Sequence, residues 1–307
     1  MKTLPAQDQR RFRLEDGERV PDGVRRIARG QLDLSIERLH GDTDEDLGTA
    51  VHETRKSLKR LRAIARLARD ELGDEAYRRE NVAFRDAGRR LAGARDSQVL
   101  LETLDALTDR YPDQAAPARF ERFKRTLVGQ HGAAQRHLHE RAAVSEVRGE
   151  LRRARARVGD WHLEREGLDA LAAGFRRIYR RGRRAYRTAR QEPSTENLHE
   201  LRKRAKYLWY AAQIVRGAAP KKMRRIARRA HQLSNLIGED HDLALLAQQA
   251  NDRRDRFPDE TAAGELAALV ERRQAELERA ALDLGRRLFR KKPRKIARPL
   301  ERSRAAA

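Results

Sequence analysis

Residues typical of a buried helix face recur every three or four positions from Val51 onwards. They are Val51, Thr54, Leu58, Leu61, Ala65 and Ala68. Because a helix advances about 100° per residue, these positions share one side of it, and a set of cations falls beside them. We name this set the first basic stripe; it contains no acidic residue and consists of His52, Arg55, Lys56, Lys59, Arg62 and Arg66. The pattern predicts a helix that shows cations beside its buried face.

The same pattern returns later in the chain, where Leu-His-Glu-Leu-Arg-Lys starting at Leu198 matches Val-His-Glu-Thr-Arg-Lys starting at Val51. The apolar side of the second copy is Leu198, Leu201, Ala205, Leu208 and Ala212. Its cations fall at the same helical angles, and we name them the second basic stripe: His199, Arg202, Lys203 and Lys206. Two copies of one unusual face indicate an internal duplication.

Helical periodicity extends through most of the first half of the chain. Four helical units are predicted there, at about residues 22–41, 43–72, 74–109 and 115–158. A capping-box pattern at 43–46 opens the second unit, Gly73 is placed to stop it, and Pro112 ends the third. Breaks or kinks inside the later units are expected at glycines, namely Gly88, Gly93, Gly129, Gly132 or Gly149.

Further landmarks repeat in the same order after about Gly159. Three segments of the second half match segments of the first: 174–180 with 23–29, 236–243 with 91–98, and 256–259 with 110–113. The repeated order predicts an all-α protein of two tandem helical bundles. We place the first half at residues 1–160, the second at 161–290 and a disordered basic tail at 291–307; residues 1–20 are expected to fray.

Composition says more about the kind of partner that the protein binds than about its fold. The 307 residues include 70 Lys and Arg against 47 Asp and Glu, which gives a formal net charge of +23. Such a balance predicts a polyanionic partner. The absence of an apolar run long enough to span a membrane, and of a signal-peptide pattern before residue 13, predicts a cytoplasmic protein without membrane contact.

The basic stripes have a plain alternative, which is a solvated helix face. Exposed faces usually intersperse acids with bases, because pairs one turn apart attract each other. Grouped cations repel each other, so a bound polyanion accounts for them better. Phosphate suits these side chains, since guanidinium groups donate to two oxygens and lysines act as adjustable point charges.

The histidines His52 and His199 have three interpretations, namely phosphate donors, helix-packing residues or metal ligands. Metal binding is disfavoured because neither has a second histidine or carboxylate one turn away on its own face, and Glu53 and Glu200 are expected to project elsewhere. The run Glu239-Asp240-His241-Asp242 also invites a metal interpretation. Polar contact between helices is favoured for it, because the matching first-half segment is Arg95-Asp96.

Catalytic signatures are lacking in the sequence. It contains no Gly-rich phosphate loop, no nucleophile elbow, no paired-carboxylate pattern and no cysteine. We therefore predict neither catalytic residues, nor a metal, nor a cofactor. An enzyme acting on polyphosphate remains a third hypothesis and would need an acidic metal cluster, while a scaffold for an acidic protein is a fourth.

Nucleic acid is the main competing polyanion. Tyr207, Trp209 and Tyr210 adjoin the second basic stripe and could stack on the bases of RNA or another single strand if they were exposed. Aromatic residues make up only 5% of the chain, and zinc-finger, RRM and KH signatures are missing. A surface that contacts phosphates is favoured over one that contacts bases.

Taken together, these motifs resemble the CHAD family, the conserved histidine α-helical domain. The resemblance rests on 51–62, 93–96 and 198–203, and covers about Val24 to Phe289. It implies two four-helix bundles related by a pseudo-twofold, with facing basic surfaces that form a groove or pore for inorganic polyphosphate and target the protein to polyphosphate granules.

The resemblance also implies which residues line that groove. Both basic stripes would do so, joined by first-helix cations of each half, which are Arg25, Arg29, Arg176 and Arg180. The second copy departs from the pattern, because Tyr207 and Trp209 stand where the first has Arg60 and Arg62. The halves therefore need not bind equally, and the length of the ligand and the oligomeric state stay open.

Overall fold

The computed structural model describes residues 11–40, 44–91, 94–114, 117–137 and 141–303. Helix residues 44–46, 94–97, 117, 131–137 and 141–142 are described by their backbone alone. Within these ranges all regular secondary structure is helical, which confirms the all-α prediction. The helices are α1 (Val20–Arg38), α2 (Asp44–Leu67), α3 (Arg69–Arg90), α4 (Ala94–Arg110), α5 (Pro117–His137), α6 (Arg141–Arg157), α7 (Ala172–Gln191), α8 (Thr195–Ile214), α9 (Pro220–Asn251), α10 (Glu260–Leu288) and α11 (Pro293–Arg302).

The predicted stop at Gly73 is confirmed in a modified form. Helix α2 ends at Leu67, earlier than expected, and α3 begins at Arg69 after a single intervening residue. Gly73 then takes a φ of 75° and kinks the first turns of α3. Glycine adopts this left-handed conformation without the steric cost that a Cβ would bring.

Other glycines do not break helices as predicted. Gly88, Gly129 and Gly149 lie inside α3, α5 and α6, while Gly132 is also helical and Gly93 lies outside the described residues. The fourth predicted unit is described as two helices, α5 ending at His137 and α6 beginning at Arg141, and residues 138–140 lie outside the described ranges. The first half therefore contains six described helices rather than four units. An isolated glycine costs a helix only about 1 kcal/mol, which tertiary packing readily offsets.

The segment before α1 is packed, contrary to the expected fraying of residues 1–20. Leu14 is 6% exposed, and its amide donates to the Ile214 carbonyl at 3.0 Å. Phe12 meets the ring of Tyr210 edge-on at 5.7 Å between centroids. Residues 1–10 lie outside the described ranges. The apolar residues of this segment are few, which is why their spacing gave no periodic signal.

The basic tail is likewise helical where disorder was expected. Helix α11 packs against α7 and buries Ile296, Ala297 and Leu300. These three positions share one face, because residues four apart are neighbours on a helix. Six of the other seven residues of this helix are basic or proline, so the short apolar face was overlooked.

The apolar core divides in a way that mixes the two sequence repeats. A larger cluster contains residues of α1, α2, α3 and α6 together with α7, α8, α11 and the first part of α9. A smaller cluster joins α4 and α5 to the end of α9 and the first part of α10. Tyr111 and Phe257, which occupy matching positions in the repeats, are both buried in it. The division into halves at residues 160 and 290 stays a prediction.

Packing partners recur in the same order in both repeats. Helix α1 packs against α2 and α6, and its counterpart α7 packs against α8 and α11. Helix α11 therefore covers α7 as α6 covers α1. In the second repeat the single helix α9 covers the length that α3 and α4 cover together in the first repeat. The correspondence between the packing partners of the two repeats thus extends to α11, beyond the landmarks visible in the sequence.

Gly174 allows α7 to touch the end of α2. A Cβ at this position would overlap the carbonyl oxygen of Leu67 and lie 2.8 Å from its carbonyl carbon. Both obstacles are backbone atoms, which cannot move aside as a side chain can. The approach brings the cations of α7 beside those of α2.

Replacing Gly174 with alanine is expected to lower the free energy of unfolding by about 3 kcal/mol or more, because helix backbones must separate. Gly264→Ala is the matched control, since nothing lies within 4 Å of its added Cβ. That variant should be neutral or stabilising by up to about 1 kcal/mol. Urea unfolding followed by circular dichroism measures both; similar stabilities for the two variants would contradict the close approach.

Leu300→Ala should lower the free energy of unfolding by about 2–5 kcal/mol, because the side chain is 0% exposed and leaves a cavity. Exposed Glu301→Ala in the same helix is the control and should change stability by less than about 0.5 kcal/mol. Chemical denaturation again provides the measurement. An unchanged Leu300→Ala protein would mean that α11 is not docked in solution.

Candidate anion-binding site

The first basic stripe lies along the contact between α2 and α3. Its last two arginines are held by α3: Arg62 Nε donates to Asn81 Oδ1 at 3.3 Å and Arg66 Nη1 donates to the same oxygen at 2.7 Å. Arg66 Nη1 also lies 3.3 Å from the Tyr77 hydroxyl. Arg55 and Lys56 are half-buried, and Lys59 is exposed. The stripe is therefore accessible to solvent at Lys59, and its last two arginines are held by hydrogen bonds to α3.

The second basic stripe faces the first part of α9. The rings of His199 and His241 lie 5.4 Å apart, which confirms the favoured interpretation of His241 as part of a polar contact between helices. Arg202 fits against Gly238, where an added Cβ would lie 2.9 Å from Nη2 of the guanidinium. Burial lowers the pKa of Arg202, and nearby Asp242 opposes that shift.

Each stripe has an acid beside it, which corrects the expectation that Glu53 and Glu200 project elsewhere. Glu53 accepts a hydrogen bond from Lys56 at 2.6 Å and lies 3.8 Å from His52 Nε2. Glu200 makes the equivalent ion pair with Lys203 at 2.5 Å. Burial raises the pKa of Glu53, but its hydrogen bond to Lys56 and the surrounding cations outweigh that effect and lower the pKa.

Three of the four first-helix cations lie away from the stripes. Arg25 donates to the Trp161 carbonyl at 2.9 Å, and Arg29 lies beside Gly159. Arg176 is 4.0 Å from Glu301 of α11. Arg180 is exposed and falls one turn after Arg176 on the same helix. Their place in a groove stays a prediction, and the packing of α6 and α11 decides which sides of α1 and α7 these residues take.

Helix α7 does send two other arginines towards α2 and α8. Together with residues of α3 they form a recess that we name the arginine–tyrosine pocket, with Ile178 as its apolar wall. Its polar lining is Arg66, Arg69, Tyr77, Arg177, Arg181, Arg204 and Tyr207. Of these, only Arg66 was singled out as a binding residue from the sequence. The spacing of Arg177 and Arg181, four residues apart on one face, was a usable signal.

Cations in this pocket are stacked on aromatic rings. The guanidinium carbon of Arg66 lies 4.3 Å from the centroid of the Tyr207 ring, and that of Arg69 lies 4.8 Å from the centroid of Tyr77. Three arginines are also paired with acids: Arg69 with Asp74, Arg177 with Asp70 and Arg204 with Glu200. Stacking holds the guanidinium planes without consuming all of their hydrogen-bond donors.

The aromatic residues proposed for base stacking already have partners. The Trp209 ring stacks on His231 at 3.9 Å and on Tyr210 at 4.6 Å. Tyr210 is 4% exposed, and the Tyr207 ring is covered by Arg66. These rings therefore act as packing elements of α8 and α9, which removes the exposed platform that base stacking requires.

Two further properties concern only the described part of the chain. Within it, His, Asp and Glu side chains form no group of three or more that could hold a metal ion. Every helix described there is too short or too polar to cross a bilayer.

Stability is expected to fall as the pH drops below about 6.5, because burial and then Lys206 lower the pKa of His231 in the folded state. The unfolded chain takes up this proton first, so protonation favours unfolding. His231→Gln should flatten the stability profile between pH 7.5 and 5.5, whereas exposed His162→Gln should leave it unchanged. Urea midpoints across this range test the difference; equal slopes in all three proteins would refute it.

Comparison with known proteins places the chain in a family. The family model described as CHAD domain matches residues 31–251, which is more than half of the chain and includes both basic stripes. This family is associated with polyphosphate binding. No curated protein matches the sequence. The chain therefore belongs to the CHAD domain family.

Proposed function

We propose that this chain binds inorganic polyphosphate along its two basic stripes and does not alter it chemically. The observation that carries the proposal is the duplication of the stripe itself. His52, Arg55, Lys56 and Lys59 recur as His199, Arg202, Lys203 and Lys206, and in both copies the stripe lies on a helix of the larger core cluster. The association of the CHAD family with polyphosphate supports the choice of ligand.

The length and spacing of the stripe favour a long, regularly charged ligand. His52 and Arg66 are separated by about 21 Å along the helix axis, at a rise of about 1.5 Å per residue. Cations occur every three or four residues over this length, so successive charges are about 5 Å apart. A single small anion would satisfy only two or three of them. A linear polyanion contacts many at once and releases counterions from each neutralised phosphate.

Contact between α2 and α8 would let one ligand reach both stripes. The two helices pack on each other, and Arg66 at the end of the first stripe contacts Tyr207 of α8. We infer that a central groove runs across this helix pair, between two halves related by a pseudo-twofold. The repeated packing of α1 with α2 and α6, and of α7 with α8 and α11, supports that symmetry.

RNA is the weaker candidate because the aromatic rings beside the second stripe are already stacked on His231, Tyr210 and Arg66. Phosphate contact alone gives binding without base selectivity. Polyphosphate presents the same charges without needing bases to be accommodated. Association with cytoplasmic polyphosphate granules would follow from this binding, since a granule concentrates the ligand.

Lys59→Gln with Lys206→Gln removes one cation from each stripe and is expected to weaken long-chain polyphosphate binding about tenfold at 0.15 M salt. The slope of log affinity against log salt should fall by about one to two, because about two fewer phosphates are neutralised. Arg78→Gln with Arg89→Gln is the control. It also removes two charges, from exposed positions on α3. Isothermal titration calorimetry at several salt concentrations gives both quantities.

The same titrations with length-matched single-stranded RNA separate the alternatives. Polyphosphate should bind more tightly and should not be displaced by RNA, and incubation should release no orthophosphate. Equal loss in the stripe and control variants would show a non-specific effect of net charge. Displacement by RNA would favour the nucleic-acid function, and phosphate release would show an enzyme.

A further inference from the structure

We propose that the arginine–tyrosine pocket binds a terminal phosphoryl group, which is a phosphate with one bridging oxygen and three free oxygens. Such a group occurs at the end of a polyphosphate chain and on a nucleoside polyphosphate. For the first source the inference rests on the proposed function, because it assigns one end of that ligand to a defined place. For the second source it stands independently.

Charge balance inside the pocket is the first argument. Asp74, Asp70 and Glu200 pair with Arg69, Arg177 and Arg204. Within the described residues, Arg66 and Arg181 form no ion pair with a carboxylate. Burial and the neighbouring Arg204 lower the pKa of Arg181, and burial likewise lowers that of Arg66. Arg66 is thus held in a partly desolvated place, and Arg181, although exposed, lies near a like charge; a bound anion would relieve both.

A side chain that lines the pocket also has an unused donor. Arg66 Nε is buried and has no hydrogen-bond partner among the described residues, although Nη1 donates to Asn81 and Tyr77. Leaving a buried donor without an acceptor costs about 1–3 kcal/mol of folding free energy. Few buried donors are therefore left in this state unless a ligand accepts their hydrogen bond. A phosphoryl oxygen is a suitable acceptor for a guanidinium.

The shape of the recess selects a chain end over a chain interior. The recess has only about 10 Å³ of free space, about that of one water. Arg181 and Arg204 line both this recess and an outer trench of about 400 Å³ between α7 and α8, so they mark the mouth where the two cavities meet. A phosphoryl group at the mouth can direct one oxygen inward while its chain leaves through the trench. An interior phosphate would need a second exit.

The first repeat supports this interpretation, because the protein's own chain closes the corresponding cleft there. Arg26, which matches Arg177, binds both oxygens of Glu18 at 2.6 and 2.7 Å. Phe12 lies under the guanidinium of Arg60, 5.3 Å from the ring centroid. Residues 11–19 thus bring a carboxylate and an aromatic ring to one cleft, while the related pocket beside α7 stays open to an outside anion.

Charge also distinguishes terminal from interior phosphates. A terminal phosphoryl group carries about two negative charges above its second pKa near 6, whereas an interior phosphate carries one. Arg66 and Arg181, which form no ion pair with a carboxylate among the described residues, match the two charges of the terminal group. Binding at the pocket should therefore weaken between pH 7.5 and 5.5, because the terminal group takes up one proton near its second pKa and loses one of its two negative charges.

Linear tripolyphosphate and cyclic tetrametaphosphate test the proposal, because their total charges are similar but the ring has no terminal group. Calorimetric titration of the full chain should show tripolyphosphate binding about tenfold more tightly. Arg181→Gln should remove this preference, while Arg187→Gln, an exposed change of the same kind on α7, should keep it. Lowering the pH to 5.5 should reduce the preference in the unmodified protein.

Equal affinity for the linear and cyclic compounds, or a preference that survives Arg181→Gln, would overturn the proposal. Competition by ATP identifies the source: displacement of tripolyphosphate by ATP assigns a nucleotide, and resistance to ATP assigns an inorganic chain end. Long-chain polyphosphate binding should change less than about threefold in Arg181→Gln, since few chains bind by their ends alone. If long-chain polyphosphate binding does not depend on the stripe lysines, the proposed function is refuted. The comparison of tripolyphosphate with tetrametaphosphate still tests the pocket separately.

Discussion

Direct contact between the backbone of α7 and the end of α2 is the constraint on which the candidate site depends. Gly174 lies against the Leu67 carbonyl, so the two helices meet without an intervening side chain. About one and two turns later, Arg177 and Arg181 line the same pocket as Arg66 of α2. A single added methyl group would separate elements that carry most of the pocket's charge. Close packing of helices and close grouping of cations thus have the same structural origin.

Crowded positive charge is made tolerable here in three ways. Acids next to the stripes pair with individual lysines, as Glu53 does with Lys56 and Glu200 with Lys203. Aromatic rings stack on guanidinium groups, as Tyr207 does on Arg66. Lys59 is exposed at the surface. These arrangements stabilise the unbound fold while leaving donors that an anion can use, as the proposed binding of a polyanion would require.

The two repeats of the sequence are related but unequal. Both repeats keep the His-bearing helix, its acid and the covering last helix, α6 or α11. They differ in what covers the cleft beside their first helix. Residues 11–19 close the cleft beside α1, and none of the described residues closes the related cleft beside α7. Replacement of Arg60 by Tyr207 at the matching position adds to the difference, because it places a ring where the other half has a cation. Unequal surfaces can therefore bind different parts of one ligand.

The sequence by itself determined the all-α fold, the duplication, the family and the two stripes, because helical periodicity and residue type are local properties. It could not assign Arg25, Arg29 and Arg176 to their true neighbours, since the side of a helix that faces solvent depends on what covers it. It also missed the short apolar faces that dock α11 and residues 11–19. Only the tertiary structure brought Arg66, Arg177, Arg181 and Arg204 together, because these residues belong to three helices whose approach depends on backbone contact at Gly174.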